Sequence, residues 1–356
     1  MEPSGVTLTV AFPFLAALLI AATLLPLIRK EAWWIRIFDF PRVQIAVAGG
    51  MVIILWLMLF PGRGTAETAL LLLLGIAVLY QSYRMYPYTP FAGAQVVQSS
   101  RSDPEEALSL VVSNVLMTNR RAADYIALIR AADPDLVLAA EPDRRWEEEL
   151  RPLEGDYPYT VKYPLDNTYG MLLYSRLELR NPAVRFLVEP DIPSIHTLVK
   201  LPSGALVELH FLHPKPPHPV RSKDTVKRDA ELLLMAREVR KSARPVIVAG
   251  DLNDVAWSST TTLFQRVSSL LDPRIGRGFY NTYNAKYPVF RYPLDHVFHS
   301  SHFRLIGLRR LGFFGSDHFP IFIALSYEPE GSPEQKAPPP TGESIKQARK
   351  KIEKAR

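Results

Sequence analysis

Cysteine is absent from all 356 residues. Disulfides, thiolate metal sites and cysteine nucleophiles are therefore excluded, and the redox compartment is left open. Charge is absent from Val6–Ile28, where Thr7, Thr9 and Thr23 are the only polar side chains. That run is long enough to cross a bilayer. It has no basic flank before it and no small-residue cleavage site after it, so it does not read as a signal peptide. Pro13 and Pro26 are tolerable in a membrane helix. A large excess of one charge is also missing from the middle of the chain. The net charge is +6, but residues 1–100 carry 6 Lys/Arg against 4 Asp/Glu and residues 327–356 carry 7 against 5, leaving 29 against 27 for residues 101–326. Bulk charge therefore predicts no strongly basic nucleic-acid face in the middle.

Two further apolar runs follow the first. Val43–Phe60 reads as a second span, PGRG as a turn, and Thr65–Tyr83 as a third, weaker span with Glu67 near its end. Three such runs in one block fit no ordinary soluble core. The first loop holds Trp33 and Trp34, suited to the headgroup interface, and Arg29, Lys30, Arg36 and Arg42, whereas the second holds only Arg63. The positive-inside rule puts the first loop in the cytoplasm. With three spans the rest of the chain is also cytoplasmic; with two spans and a re-entrant third it lies outside. The charge count favours a multi-pass protein of the cell membrane with a cytoplasmic C-terminal domain.

The expected organisation is a transmembrane segment of two to three helices over 1–85, a linker over 86–107, one domain over 108–327 and a disordered basic tail over 328–356. LSLVVSNV and LVLAAE read as strands around a helix over Arg120–Ala132. YGMLLYSR, ALVELHFLH, RPVIVAGDLN, YPLDHVFHS and GSDHFPIFIALSY read as further strands, and Lys227–Ser242 as an amphipathic helix. This alternation predicts an α/β class with a sheet-rich core. SIKQARKKIEKAR is a basic helix candidate that reads as a solvated tail, with anionic lipid or nucleic acid as the competing role.

Polar residues recur where the apolar strands end: Asn114, Glu141, His213, Asp251, Asn253, Asp295, Asp317 and His318. The rim at strand ends is where α/β proteins place their sites. Carboxylates, amides and histidines without cysteine suit Mg²⁺ or Mn²⁺. His210 competes with His213; three apart on a strand, they face opposite sides. His196, His218, His299 and His302 read as surface residues. Tyr169 and Arg176 are candidates for substrate contact, with packing an equal reading for the tyrosine.

SNV, AAEPD, YGMLLYSR, HPKPP, GDLND, LDHVF and GSDHFPI stand in the order found in the endonuclease/exonuclease/phosphatase family. From about Leu108 to Tyr327 the chain resembles that family, and HPKPP after membrane spans resembles its bacterial membrane-attached members. The resemblance implies a four-layer α/β sandwich of the DNase I-like type, preceded by the transmembrane helices. It implies a divalent-metal-dependent phosphoesterase acting on a phosphodiester or phosphomonoester, with nucleic acid or a phospholipid headgroup as substrate and membrane lipid as partner. It further implies that Glu141, with Asn114 and Asp317, holds the metal. Asp251 orients or deprotonates water and Asn253 donates to the transition state. His318 meets the phosphate or leaving oxygen, Asp295 holds His318, and His213 is a second phosphate-side histidine. The competing reading is a non-catalytic membrane scaffold with the same fold, whose signature is loss of these residues.

Overall fold

The structure is a computed structural model that describes residues 5–62, 64–101, 103–217 and 223–355. Arg63, counted in the charge balance, and His218 lie outside the described residues. Three long helices come first: α1 (Gly5–Leu24), then, after a one-turn α2 (Trp33–Arg36), α3 (Arg42–Leu59) and α4 (Thr65–Met85). All three are long and apolar enough to cross a membrane. They pack through Ala16, Leu19, Ile45, Val52, Trp56 and Leu74. Phe14, Leu18, Val47, Met51, Ile54, Met58, Leu72, Ile76 and Leu79 remain exposed on the outside, an arrangement suited to lipid rather than water. A buried polar network ties the helix ends together. Arg42 donates to Asp39 and, at 2.8 Å, to Gln81 Oε1, while Gln81 Nε2 donates to Thr23 Oγ1 at 3.1 Å.

The remaining chain runs β1 (Ala107–Asn114), α5 (Ala122–Ala132), β2 (Leu136–Ala140), α6 (Arg144–Glu149), β3 (Tyr159–Tyr163), β4 (Met171–Ser175), β5 (Leu179–Arg185), β6 (Ser194–Lys200), β7 (Leu206–Phe211), α7 (Val226–Val239), β8 (Val246–Asp251), α8 (Ser259–Ser268), β9 (Asp295–His299), β10 (Phe303–Arg310), β11 (Ile321–Tyr327) and α9 (Gly342–Lys354). One sheet has the order β10-β11-β1-β2-β4-β3 and the other β5-β6-β7-β8-β9. Period-two alternation builds the layers. Leu108, Leu110 and Val112 of β1 point between the sheets, where they meet Leu209 and Phe211 of β7 and Ile247 and Ala249 of β8. Val111 points the other way, under Tyr125 and Ile129 of α5 and Trp146 of α6. Val246 and Val248 of β8 pack outward against Leu232, Leu233 and Ala236 of α7 and Phe264 of α8. The result is a helix–sheet–sheet–helix sandwich, as expected. Each leucine or phenylalanine fully buried in it contributes about 1.5–3 kcal/mol relative to exposure.

Two expected boundaries change. Residues 86–107, read as a linker, strap onto the domain. The buried Tyr88 donates to Ala256 O at 2.7 Å, Val96 enters the inter-sheet core, and Gln95 Oε1 accepts from Asp272 N at 2.8 Å. Isolated apolar side chains in a polar stretch have no local period, so sequence reading overlooks them. Residues 328–356, read as a disordered tail, instead carry α9 docked on α7 and α8. Thr341 and Ser344 form its capping box, and Ala348 and Ile352, one turn apart, are buried. Its basic face is not simply solvated: Lys351 reaches Asp229 Oδ2 at 2.7 Å, and Lys354 reaches Glu31 in the first loop at 3.0 Å. Burial works against the Asp229 charge, but Arg228 and Lys351 outweigh it and hold the carboxyl down at about 2.

Candidate active site

The site lies where β1, β2, β8 and β9 come together, at the ends that face the helical bundle. Asn114 ends β1 and is buried; its Nδ2 donates to Glu141 Oε1 at 2.7 Å and to Asp251 Oδ2 at 3.1 Å. Glu141 follows β2 in a left-handed conformation, φ 66°, which turns its carboxylate into the cluster. Asp251 ends β8 and is buried; its Oδ1 accepts from Asn253 N at 3.0 Å. The glycine before it is required by space. Gly250 has φ 142°, and a Cβ there would lie 1.9 Å from Leu212 O. This accounts physically for the GD step in GDLN.

Two histidines face Asp251. His213 Nε2 lies 3.8 Å from Asp251 Oδ2 and 3.9 Å from Glu141 Oε1, with the Tyr169 ring 5.4 Å from its own. His318 Nε2 lies 3.6 Å from Asp251 Oδ2, while its Nδ1 hydrogen-bonds Asp295 Oδ2 at 2.7 Å. Burial disfavours the His318 cation, but Asp295 and Asp251 outweigh it and hold the ring up at about 10. Burial pushes His213 down, so the two histidines are driven apart in charge. Glu141 is pushed up to about 7, first by burial and then by Asp251 and Asp317, against the Asn114 hydrogen bond and His318.

The candidate residues from the sequence thus converge, with adjustments. Asn253 is beside the site at φ 51°, but its Nδ2 donates to Pro214 O at 2.9 Å, which occupies one of its two N–H bonds. Asn114 presents its NH₂ to the carboxylates while its Oδ1 accepts from Leu116 N at 2.9 Å, so its amide must turn over to offer oxygen to a cation. Tyr169 is buried against His213, whereas Arg176 pairs with Asp133 at the far end of β4. His196 and His299 are buried, not on the surface; His196 Nδ1 bonds His210 Nδ1 at 2.8 Å, away from the site. Sequence reading missed Tyr283, whose ring lies 4.9 Å from that of His318, and Ser316, whose Oγ accepts from His318 N at 3.0 Å and donates to Asn114 O at 2.7 Å. The serine in GSDHF was a signal; Tyr283 lies in an irregular loop and gave none.

The donor set fits a divalent cation. Asp251 and Asp317 both oppose the charge of Glu141, and among the described residues no lysine or arginine pairs with any of the three. Crowded, partly buried carboxylates without a fixed cation suit a hard metal ion. Asp251, Asp295 and His318 form a second group whose ligand atoms lie within 4.8 Å of one another. His318 Nδ1 is already committed to Asp295, which leaves its Nε2 as the ring atom free for a ligand or a proton.

The site's floor also touches the bundle. Trp257, six residues after Asp251, donates Nε1–H to Asp39 O at 2.7 Å, and its carbonyl accepts from Arg84 of α4.

Known proteins share this architecture. The sequence profile of the Endonuclease/Exonuclease/phosphatase family matches residues 111–318. TDP2 of D. rerio, humanized by 14 mutations, is similar with a TM-score of 0.50 and 18% identity over 62% of this chain and 99% of that one. The human Nocturnin catalytic domain, solved with a bound sulfate anion, gives 0.50 and 18% over 62% and 95%. A functionally unknown conserved protein from Enterococcus faecalis gives 0.51 and 15% over 62% and 100%. At these identities the likeness concerns the fold. No curated protein sequence matches the chain.

Proposed function

The chain belongs to the endonuclease/exonuclease/phosphatase family, and from that premise we propose that it is a membrane-anchored, divalent-metal-dependent phosphoesterase that hydrolyses phosphodiester or phosphomonoester bonds. The observation that carries the reading is the convergence of Asn114, Glu141, His213, Asp251, Asp295 and His318, from separate strands, on one buried cluster. A non-catalytic scaffold has no reason to keep six mutually dependent polar groups, several of them buried at a cost.

A phosphate ester is anionic and repels nucleophiles. Glu141, with Asp317 and a turned Asn114, would hold a divalent cation, Mg²⁺ or Mn²⁺, whose charge would neutralise the phosphoryl oxygens. Asp251 is placed to orient a water and accept its proton, because Asn253 N and Asn114 Nδ2 fix its carboxylate. His318, kept protonated by Asp295, donates to the phosphoryl or leaving oxygen. His213 supplies a second ring on the same side, and the free N–H of Asn253 a further donor.

The purified full-length protein is expected to hydrolyse bis(4-nitrophenyl) phosphate and at least one of DNA, RNA, a phosphoinositide or sphingomyelin with Mg²⁺ or Mn²⁺. Absence of hydrolysis on every one of these, with a native melting profile, contradicts the reading.

The topology we propose is multi-pass with a cytoplasmic catalytic domain. The first loop and the domain share a side of the membrane, because Trp33 N donates to Lys223 O at 3.1 Å and Thr225 N to Glu31 O at 2.9 Å. Three crossings meet that requirement, and the basic first loop supports the cytoplasmic side. A C-terminal reporter in a bacterial host is expected to show green fluorescence and no alkaline phosphatase activity; the reverse pattern refutes the assignment.

A further inference from the structure

The loop between Tyr283 and Tyr292 joins the catalytic centre to the membrane boundary. At its base the two residues bridge each other, the Tyr283 ring stands over His318, and Ala285 N donates to Asp317 O at 2.6 Å. At its tip Tyr287, Val289 and Phe290 are 62%, 67% and 56% exposed. Among the described residues no hydrophobic core includes them. Val289 O accepts from Nε2 of Gln44, a residue in the first turn of α3. Gln44, Val47, Met51, Ile54 and Met58 follow one another at helical spacing, and the last four are more than half exposed. The tip therefore continues the lipid-facing stripe of α3 past its end. Trp34 and Tyr86, both about half exposed, lie in the segments that leave α1 and α4 at this same end of the bundle. Aromatic rings at the ends of membrane helices seat in the headgroup layer.

Arg291 of this loop and Arg310 of β10 bring positive charge next to His318 in the chain, at Phe319. Arg291 and Arg310 stack on the Phe319 ring, with their guanidinium carbons 5.0 and 4.2 Å from its centroid, one residue beyond His318. Among the described residues neither forms an ion pair; Arg291 donates to Ala285 O and Arg310 to Asn281 O. Tyr283 and Tyr287 are four residues apart, so at most about 15 Å of chain separates Tyr283, whose ring meets His318, from the apolar tip.

We infer that Tyr287, Val289 and Phe290 insert into the headgroup region of the bilayer that holds α1, α3 and α4, and that the site takes its phosphate ester from that bilayer: a phospholipid headgroup drawn in past Arg291 and Arg310. The substrate half of this inference rests on the phosphoesterase reading; the insertion does not. The near-neutral charge of residues 101–326 accords with a ligand met at a surface rather than with a long nucleic-acid track.

The chain's lack of cysteine makes a test direct. Phe290→Cys and, at the far end of the first sheet, Tyr159→Cys each give a single labelling site, here for bimane, in the full-length protein in phospholipid nanodiscs. Lipids carrying a spin label near the headgroup are expected to quench at least half of the emission at position 290 and to leave position 159 unchanged. Equal quenching at both positions, or none at 290, overturns the insertion whether or not the protein is an active hydrolase. For the substrate half, wild type and the variant with Tyr287, Val289 and Phe290 all replaced by Ser are compared on nanodisc phospholipid, on bis(4-nitrophenyl) phosphate and on a single-stranded oligonucleotide. The ratio of bilayer to soluble-ester turnover is expected to fall at least tenfold in the variant. An unchanged ratio, or a wild type that cleaves the oligonucleotide and spares the bilayer ester, overturns the lipid assignment. A wild type inert on all three substrates removes the phosphoesterase reading while leaving the quenching result to stand.

Discussion

Asp295→Asn and His318→Ala are each expected to lower turnover by about three orders of magnitude, within the range for a positioned acid–base group, and the double variant to be little worse than His318→Ala alone. His318 depends on Asp295 for its charge and for its ring orientation, through the 2.7 Å bond at Nδ1. Asparagine keeps the shape, loses the charge that holds the ring protonated, and leaves a buried imidazole whose other neighbour is Asp251, 3.6 Å away. Groups that act as a unit are non-additive, so removing the second member of a broken pair costs little. Opening a buried ion pair also threatens the fold, by about 3–5 kcal/mol. His318→Gln, whose amide can still donate to Asp295, therefore serves as a second variant, and near-ultraviolet circular dichroism and melting serve as controls. Losses that simply multiply in a folded double variant show that the two residues do not act together.

Glu141→Gln is expected to weaken Mn²⁺ binding at least about tenfold, in line with the loss of an interaction that tunes a metal site, and to lower hydrolysis until excess metal partly restores it. Glutamine has the same shape but offers a hard cation one neutral carbonyl oxygen in place of a charged carboxylate. The same change relieves crowding with Asp251 and Asp317, so in chelator the variant should melt no lower than wild type. A structural role predicts the opposite pair of results: unchanged metal affinity and a lower melting temperature.

The fold was legible because the strands announce themselves by period and the polar residues stand at their ends. Asp251, Asp295 and His318 each close or border an apolar run, and the packing of two sheets brings those ends to one rim. What escaped sequence reading depended on partners far along the chain. His299 is buried because β9 is covered on both faces, whereas a histidine near a strand end reads as a surface residue. Ala348 and Ile352 are only two apolar positions in a basic helix, and nothing local shows that α7 waits for them with Asp229. Val96 and Tyr88 turn an apparent tether into a strap for the same reason. The orientation of the Asn114 amide, toward two carboxylates, and the commitment of Asn253 to Pro214 are details of contact that a motif does not carry.

The central claim is that the carboxylate–histidine cluster is a metal-dependent phosphoesterase centre. Metal-stripped full-length protein titrated with Mn²⁺ tests it most directly, with bound ion read by electron paramagnetic resonance and phosphodiester hydrolysis read in the same samples. The account predicts no hydrolysis before metal is added, hydrolysis that rises with occupancy of the site, and a Glu141→Gln curve displaced to higher Mn²⁺ in both readouts together. Full hydrolysis in excess chelator, or Mn²⁺ that binds without any gain in turnover, contradicts it.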